Sequence, residues 1–220
     1  MLNVIYEDNH LLVVEKPVNI LSQGDNTNDD DMVNLLKKYL KEKYNKPGNV
    51  FVGLVHRLDR PVGGIMVFAK TSKAASRLSE QVRNKTFKKT YKAVLHGEMK
   101  KKQDNLSDYL YKDKKTNMVS VVNKNHKDAK DAKLSYKTLA SNNGFSLVEI
   151  DLQTGRPHQI RVQFSSRNHP LYGDQRYGKN VNKKGQQIAL WSYKIEIEHP
   201  TKKEKMEFVC EPPNKYPWNM

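Results

Sequence analysis

The chain has 220 residues, 37% of them hydrophobic, and its 39 Lys and Arg against 24 Asp and Glu give a formal net charge of +15. This apolar content suffices for a core and argues against wholesale disorder, and the positive excess predicts a polyanionic partner unless the lysines serve only solubility. A single cysteine excludes an internal disulfide, the histidines lack metal-ligand spacing, and no apolar stretch approaches the roughly 18 residues of a membrane span. The N-terminus does not resemble a secretory signal, so we expect a cytoplasmic protein without a metal or a membrane partner.

Short strands and one amphipathic helix are predicted in the first fifty residues. Residues 2–6 and 11–15 are apolar runs on either side of a turn, and Ser22 to Asp31 is a polar loop. Met32 to Tyr44 then shows helical periodicity with lysines on its polar side. The predicted buried face of this helix comprises Val33, Leu36, Leu40 and Tyr44.

An acid among cations occupies the connection between the next two predicted strands, Phe51–Val55 and Ile65–Ala69. The connection is His56-Arg57-Leu58-Asp59-Arg60-Pro61-Val62-Gly63-Gly64, in which the paired glycines indicate a turn or a bulge. A carboxylate held among cations stays ionised and well placed, as a nucleophile or an electrostatic catalyst requires. The alternative is a structural ion pair at the end of a strand. A helix capped by Thr71 or Ser72 is predicted next.

The second half of the chain predicts mainly strands. Residues 98–133 are rich in lysine and indicate an exposed hairpin region with a short strand at Val119–Val122. No internal repeat and no linker interrupts the chain, so we expect one domain over residues 1–220 with an α+β fold and a mixed, largely antiparallel sheet. The other predicted strands are Thr90–Leu95, Ala132–Ala140, Phe145–Leu152 and Ala189–Ile197.

A second cluster of cationic groups follows the alternating strand Phe145–Leu152. The segment Gln153-Thr154-Gly155-Arg156-Pro157-His158-Gln159-Ile160-Arg161-Val162 contains a Thr-Gly turn and a proline suited to the first turn of a short helix. Cations near a helix start oppose the helix macrodipole, so stability alone does not explain them, and they predict an anionic ligand. Helix-start hydrogen bonding or generic phosphate contact is the alternative. The groups in question are Arg156, His158 and Arg161.

Together these segments resemble the RluA-type family of pseudouridine synthases over nearly the whole chain. Ile5-Tyr6-Glu7-Asp8 through Val14-Glu15-Lys16-Pro17 is similar to the family's first motif, and His56-Arg57-Leu58-Asp59 is similar to the motif with its catalytic aspartate. Lys89-Thr90-Tyr91-Lys92-Ala93 resembles the strand that bears its active-site tyrosine. Gly155-Arg156-Pro157-His158-Gln159-Ile160-Arg161 resembles its third signature, followed by His169-Pro170-Leu171-Tyr172-Gly173-Asp174. Four signatures in order make the match specific.

The resemblance implies an enzyme that breaks the glycosidic bond of a uridine in RNA, turns the base and rejoins it through carbon five, without a cofactor or a metal. It also implies the family's catalytic fold, a bent sheet flanked by helices and loops. Asp59 would be the essential carboxylate, Tyr91 would stack on the uracil and take part in proton transfer, and Arg161 would pair with Asp59. Arg57 would help displace the target base from its stack. The other predicted substrate-binding residues are His56, Arg156, His158, Gln159 and Leu190.

The chain departs from the family's pattern at a few positions. Asn19 stands where the first motif usually has glycine, Pro61-Val62 replaces small hydroxyl residues, and Trp191-Ser192 replaces a His-Ala pair. None of these is a predicted catalytic residue. Because the first motif begins almost at Met1, we expect the short form without the N-terminal S4-like RNA-binding domain of many relatives. We therefore expect a monomer whose catalytic domain captures RNA itself, with the lysines of 98–133 along the phosphates.

Two other functions are compatible with these residues. An RNA-binding module that keeps the fold without chemistry would tolerate Asp59→Asn in cells. A metal-independent phosphodiesterase would use His56 or His158 as general acid and base and would show a bell-shaped pH profile. Intact Asp59, Tyr91 and Arg161 favour a synthase, and we expect it to act on structured RNA, ribosomal RNA rather than transfer RNA.

Overall fold

A computed structural model of the chain describes residues 2–25, 27 and 29–220. By its internal contacts the chain divides into two compact units. Unit 1 comprises Met1–Lys88 and Ser192–Glu211, and unit 2 comprises Lys89–Trp191 and Pro212–Met220. Each unit is therefore built from two separate stretches of sequence. The single domain predicted over residues 1–220 stays a prediction.

Strands predominate over helices in both units, and most strand pairs are antiparallel, so the predicted α+β fold class is confirmed. The described residues form, in chain order, β1 (Asn3–Glu7), β2 (Leu11–Lys16), α1 (Met32–Lys43), β3 (Gly53–Leu54), β4 (Gly63–Ala69), α2 (Ser72–Arg83), β5 (Lys88–His96), β6 (Gln103–Lys112), β7 (Val119–Val122), β8 (Lys130–Asn142), β9 (Phe145–Leu152), α3 (Gln159–Ser165), β10 (Leu190–Glu198) and β11 (Lys205–Val209).

The core of unit 1 forms between its sheet and α2. β2 pairs antiparallel with both β1 and β4, and β11 pairs antiparallel with β10. Thr71 caps α2 by accepting the N–H of Ala74 at 3.2 Å, as the sequence predicts. Asp31 caps α1 in the same way by accepting the N–H of Asn34 at 3.1 Å. The core residues include Leu11, Val13, Ile65, Val67, Ala74, Leu78, Phe87, Ile195 and Phe208.

The paired glycines after Asp59 begin a strand rather than make a separate turn. Gly63 and Gly64 are the first residues of β4, and Gly64 has a φ of 110°. A Cβ at Gly64 would collide with the backbone of Ser192. Only glycine combines this backbone conformation with such a close approach of two backbone segments.

Unit 2 is an antiparallel sheet in the order β5-β9-β8-β6-β7, with α3 beside it. α3 begins at Gln159, so Pro157 precedes the helix rather than occupying its first turn as predicted. The reason lies at His158, which has a left-handed φ of 52° and therefore interrupts the helical backbone. Ile160 and Phe164 are buried on α3.

One further prediction about an element is wrong in part. The strand predicted over Phe51–Val55 is reduced to β3, and Phe51 is exposed. The predicted polar loop from Ser22 to Asp31 is a loop in its described residues, and both of its end residues are buried. β11 is not predicted by the sequence, and β6 is expected only as part of the lysine-rich hairpin region.

Candidate active site

The loop that carries Asp59 in unit 1 is held by a buried serine. The hydroxyl of Ser22 accepts the N–H of Leu58 at 3.0 Å and donates to the carbonyl of Leu58 at 2.7 Å. On the other side, the N–H of Val62 donates to the carbonyl of Asp59 at 3.0 Å and closes a turn. Ser22, Leu58 and Val62 are buried, and Asp59 is partly exposed. The backbone on both sides of Asp59 is therefore fixed.

A buried ammonium group donates to the same loop. Lys16, the last residue of β2, is fully buried, and its Nζ donates to the carbonyls of Pro17, Ile20 and Arg60 at 2.8, 2.6 and 3.1 Å. Burial lowers the pKa of Lys16 to about 7, although the negative charge of Asp59 acts in the opposite direction. Lys16 thus joins the end of β2 to the Asp59 loop and places its ammonium in the field of that carboxylate.

The His56 side chain packs and forms a hydrogen bond inside unit 1. Its side chain is buried, its Nε2 accepts the N–H of Val67 at 3.0 Å, and its ring lies 5.1 Å from that of Phe87. An imidazole nitrogen that accepts a backbone N–H carries no proton to give. This geometry disfavours the phosphodiesterase alternative with His56 as the general acid at that nitrogen.

Arg57 and Arg60 differ in how they are fixed. Arg60 donates through Nη1 to Asp29 at 2.7 Å and through Nε to the carbonyl of Asn19 at 3.2 Å. Asn19 has a φ of 66°, a left-handed conformation that Asn tolerates better than most residues, which explains how it replaces the family's usual glycine. Arg57 is exposed, and its guanidinium bonds to no other described residue. It is therefore accessible to an external ligand.

Two predicted base-contact residues, Tyr91 and Leu190, belong to unit 2. Tyr91 is buried in β5, where it is opposite Ile150 of β9. Leu190 is also buried and follows Ala189, whose carbonyl accepts the N–H of Val94 at 3.1 Å. An aromatic ring and an aliphatic side chain are the types of surface against which a flipped base packs.

The amide of Gln159 is used completely within the fold. Its Oε1 accepts the N–H of Arg156 at 3.0 Å and the hydroxyl of Thr154 at 2.8 Å. Its Nε2 donates to the carbonyl of Lys133 at 3.1 Å and to Oε1 of Gln163 at 3.0 Å. These bonds order the turn before α3, and the predicted contact of Gln159 with the substrate stays a prediction.

The two basic residues before α3 are oriented by specific partners. Arg156 donates through Nε to the carbonyl of Asp131 at 2.8 Å, and its terminal nitrogens bond to no other described residue. The hydroxyl of Tyr177 lies 2.6 Å from Nδ1 of His158 and accepts the N–H of Val119 at 3.0 Å. Because one bond uses Tyr177 as an acceptor, its own proton can be given to His158. Tyr177 therefore connects β7 with the turn that precedes α3.

Arg161 forms a bidentate ion pair that the sequence does not predict. Its Nε and Nη2 donate to the two carboxylate oxygens of Asp174, each at 2.8 Å, and both side chains are buried. Burial alone raises the pKa of Asp174, but the hydrogen bonds and charge of Arg161 outweigh it and lower the pKa. The guanidinium also lies 5.2 Å from the ring centroid of Tyr177. The predicted pairing of Arg161 with Asp59 joins residues of different units and stays a prediction.

Four residues that order the predicted site residues are not among those singled out from the sequence. Lys16 and Asp174 lie inside the quoted motifs, so their position there is a signal that could have singled them out. Ser22 and Tyr177 act through contacts that are distant in sequence, and no local pattern indicates them.

Among residues 2–25, 27 and 29–220, no three His, Cys, Asp or Glu side chains are grouped as a metal site would require. No helix in this part of the chain has the length and apolarity needed to cross a membrane.

The profile of the RNA pseudouridylate synthase family matches residues 10–166. This match covers the Asp59 loop, β5 with Tyr91, and all of α3. The chain therefore belongs to the RNA pseudouridylate synthase family, as its motifs predict.

Curated relatives agree with this assignment, and a solved structure shares the fold. An uncharacterized RNA pseudouridine synthase, YhcT of Bacillus subtilis (strain 168), is 35% identical over 202 residues, which are 90% of this chain and 65% of that protein. Ribosomal large subunit pseudouridine synthase D of Borreliella burgdorferi is 32% identical over 218 residues, 97% of this chain and 66% of that protein. The chain thus spans just under two thirds of these relatives. Its fold is similar to human RNA Pseudouridylate Synthase Domain Containing 4, with a TM-score of 0.79 and 21% identity over 96% of this chain and 88% of that one.

Proposed function

We propose that this chain converts uridine to pseudouridine in structured RNA, and that its substrate is ribosomal rather than transfer RNA. Family membership supports the reaction, and the name of the Borreliella burgdorferi relative supports a ribosomal target. The net charge of +15 supports an RNA partner because phosphate contacts supply most nonspecific affinity. The observation that carries the proposal is the loop around Asp59, which Ser22 and Lys16 hold in one conformation.

The proposed reaction exchanges one bond of the nucleoside for another. The N1–C1′ bond breaks, the uracil turns, a C5–C1′ bond forms, the proton on C5 leaves and N1 gains a proton. Asp59 supplies the essential carboxylate, acting either on the sugar or on the base. Tyr91 provides a stacking surface for the uracil and takes part in the proton transfer.

The target uridine must leave its stack before it can react, at a cost of about a few kcal/mol. Arg57 is exposed and its planar guanidinium fills the vacated position, while Leu190 packs against the extruded base. Arg156 and His158 contact the flanking phosphates. His56, whose Nε2 accepts a backbone N–H, and Gln159, whose amide is used within the fold, order the segments that present these contacts.

Release of tritium from RNA labelled at C5 of uridine tests this proposal, because isomerisation removes that hydrogen. The substrate is ribosomal RNA from a strain that lacks the gene. We expect release by the wild-type protein and none by Asp59→Asn, with RNA affinity largely retained. Asp30→Asn, which removes an exposed carboxylate from unit 1, is the matched control and should be active.

Two outcomes would contradict the proposal in different ways. Equal turnover by Asp59→Asn would show that Asp59 is not the essential carboxylate. RNA binding without tritium release by the wild-type protein would favour the non-catalytic binding module.

A further inference from the structure

Tyr44 does not lie where the helical periodicity predicts. The sequence groups it with Leu36 and Leu40 on the buried face of α1, and both leucines are indeed buried. Tyr44 instead follows the last helical residue as the C-cap of α1, and 47% of its surface is exposed. The core of unit 1 therefore does not account for this aromatic ring.

A carboxylate at the end of β1 fixes the orientation of the Tyr44 ring. Oε1 of Glu7 accepts hydrogen bonds from the Tyr44 hydroxyl and from Nζ of Lys70, each at 2.7 Å. Oε2 of Glu7 accepts from the Tyr39 hydroxyl at 2.9 Å and from Nζ of Lys43 at 2.8 Å. Burial alone raises the pKa of Glu7, but these four donors lower it to about 2. Glu7 thus stays ionised and presents the ring as a fixed, exposed surface.

Three ammonium groups surround the same ring. The Nζ atoms of Lys43, Lys46 and Lys70 lie 5.5, 5.6 and 4.9 Å from its centroid. Glu7 neutralises one of these charges, so an excess of two positive charges remains. Nζ of Lys46 forms no hydrogen bond or ion pair with another described residue, and Lys46 is exposed. A fixed aromatic surface in a positive field is the combination with which proteins hold single-stranded nucleic acid.

We propose that the Tyr44 cluster, formed by Glu7, Lys43, Tyr44, Lys46 and Lys70, binds a single-stranded segment of the RNA substrate. One base stacks on the ring of Tyr44, and the neighbouring phosphates lie beside the three ammonium groups. The choice of RNA as the partner rests on the proposed function. No residue of the Asp59 loop belongs to this cluster, so it is an additional contact in unit 1. A duplex buries the faces of its bases, so the ring favours single strands, whereas the charges attract both forms.

Fluorescence anisotropy with a short fluorescein-labelled single-stranded RNA and with a duplex of equal length tests the proposal. We expect Tyr44→Leu to weaken binding of the single strand about tenfold and to affect the duplex much less. Lys46→Gln should lower the salt slope of binding by about 0.7 for the single strand and about 0.9 for the duplex. Lys38→Gln is the matched control, because Lys38 is exposed on the same helix and pairs with Glu42 at 4.0 Å. It should bind like the wild type.

A second variant reports stacking directly and does not depend on the loss of a ring. In Tyr44→Trp, a base stacked on residue 44 should quench tryptophan fluorescence beyond the change seen for the native Trp191 and Trp218 in the wild type. If Tyr44→Leu and Lys46→Gln keep the wild-type affinity and salt slope, and Tyr44→Trp shows no added quenching, the cluster only anchors α1 to β1. If the wild-type protein still releases tritium, this inference alone fails. If it neither binds RNA nor releases tritium, both proposals fail.

Discussion

Lys16 is satisfied in its charged form even though burial opposes that charge. An ammonium group has three N–H donors, and Nζ of Lys16 meets three carbonyl oxygens, one of them from Arg60 in the Asp59 loop. A neutral amine has only two donors, so one of these bonds depends on the proton. The pKa of Lys16 is about 7 in the folded chain, against about 10.4 in an unfolded one.

We therefore expect the contribution of Lys16 to stability to increase between about pH 7 and pH 10. In this range the unfolded chain keeps a proton that the folded chain has released, so the free energy of unfolding rises with pH by at most about 1.4 kcal/mol per unit. Below the folded pKa both states are protonated and this dependence disappears. Urea unfolding of the wild type and Lys16→Met at several pH values measures it. Parallel pH profiles for the two proteins would contradict the prediction.

Residue types and spacing predict part of the candidate site. They single out Asp59, because an acid between cations is unusual without a ligand. They single out Arg161, because cations at the start of a helix are also unusual without a ligand. They do not predict Asp174, which lies 13 residues after Arg161 in a loop and whose pairing depends on tertiary structure. For Gln159 the resemblance implies substrate contact, and the hydrogen bonds of its amide within the fold depend on tertiary structure that the sequence does not reveal.

At the scale of elements, the lysine-rich segment 98–133 forms β6, β7 and the start of β8 in unit 2. The expected hairpin region is confirmed, and its lysines are exposed. These exposed lysines lie on the strands and on the connections between them, and they fit contact with RNA phosphates, which gives affinity with little sequence specificity. The exposed lysines are Lys100, Lys101, Lys102, Lys112, Lys114, Lys115, Lys124, Lys127, Lys130 and Lys133.

Neutralising part of this segment should weaken RNA binding in a salt-dependent way. We expect replacement of Lys112, Lys114 and Lys115 by Gln to reduce the slope of log affinity against log salt by about 0.7–0.9 for each phosphate that the variant no longer neutralises. Binding titrations at several salt concentrations measure the slope. Replacement of the exposed Lys202 and Lys205 of unit 1 gives a control for general charge. An unchanged slope in the first variant would show that these lysines do not contact RNA.

Elements with a strong local sequence pattern are predicted well, and strands that depend on hydrogen bonding to a neighbouring strand are not. α1 and β9 match their predicted bounds within a residue, because periodicity and caps define them. β6 has few buried side chains, notably Leu106 and Leu110, and its strand form depends on its antiparallel pairing with β8. The helical pattern before α3 fails at His158, whose left-handed backbone no sequence pattern indicates.

At the scale of the whole molecule, the sequence predicts the family and the α+β class but not the two compact units. Each unit joins stretches that are far apart in the sequence, and such an arrangement leaves no linker or change of composition between the units. The monomeric state and the cytoplasmic location stay predictions. The net charge of +15 is a property of the whole chain. It favours association with RNA in general and does not select a particular site on the RNA.

Pseudouridine mapping of total RNA from a strain that lacks the gene tests the central claim most directly. The strain is complemented with the wild-type protein or with Asp59→Asn. We predict that one or a few pseudouridines in ribosomal RNA disappear and that only the wild-type protein restores them. Full restoration by Asp59→Asn would contradict the role of this carboxylate, and a map in which every pseudouridine persists would contradict the proposed enzymatic function.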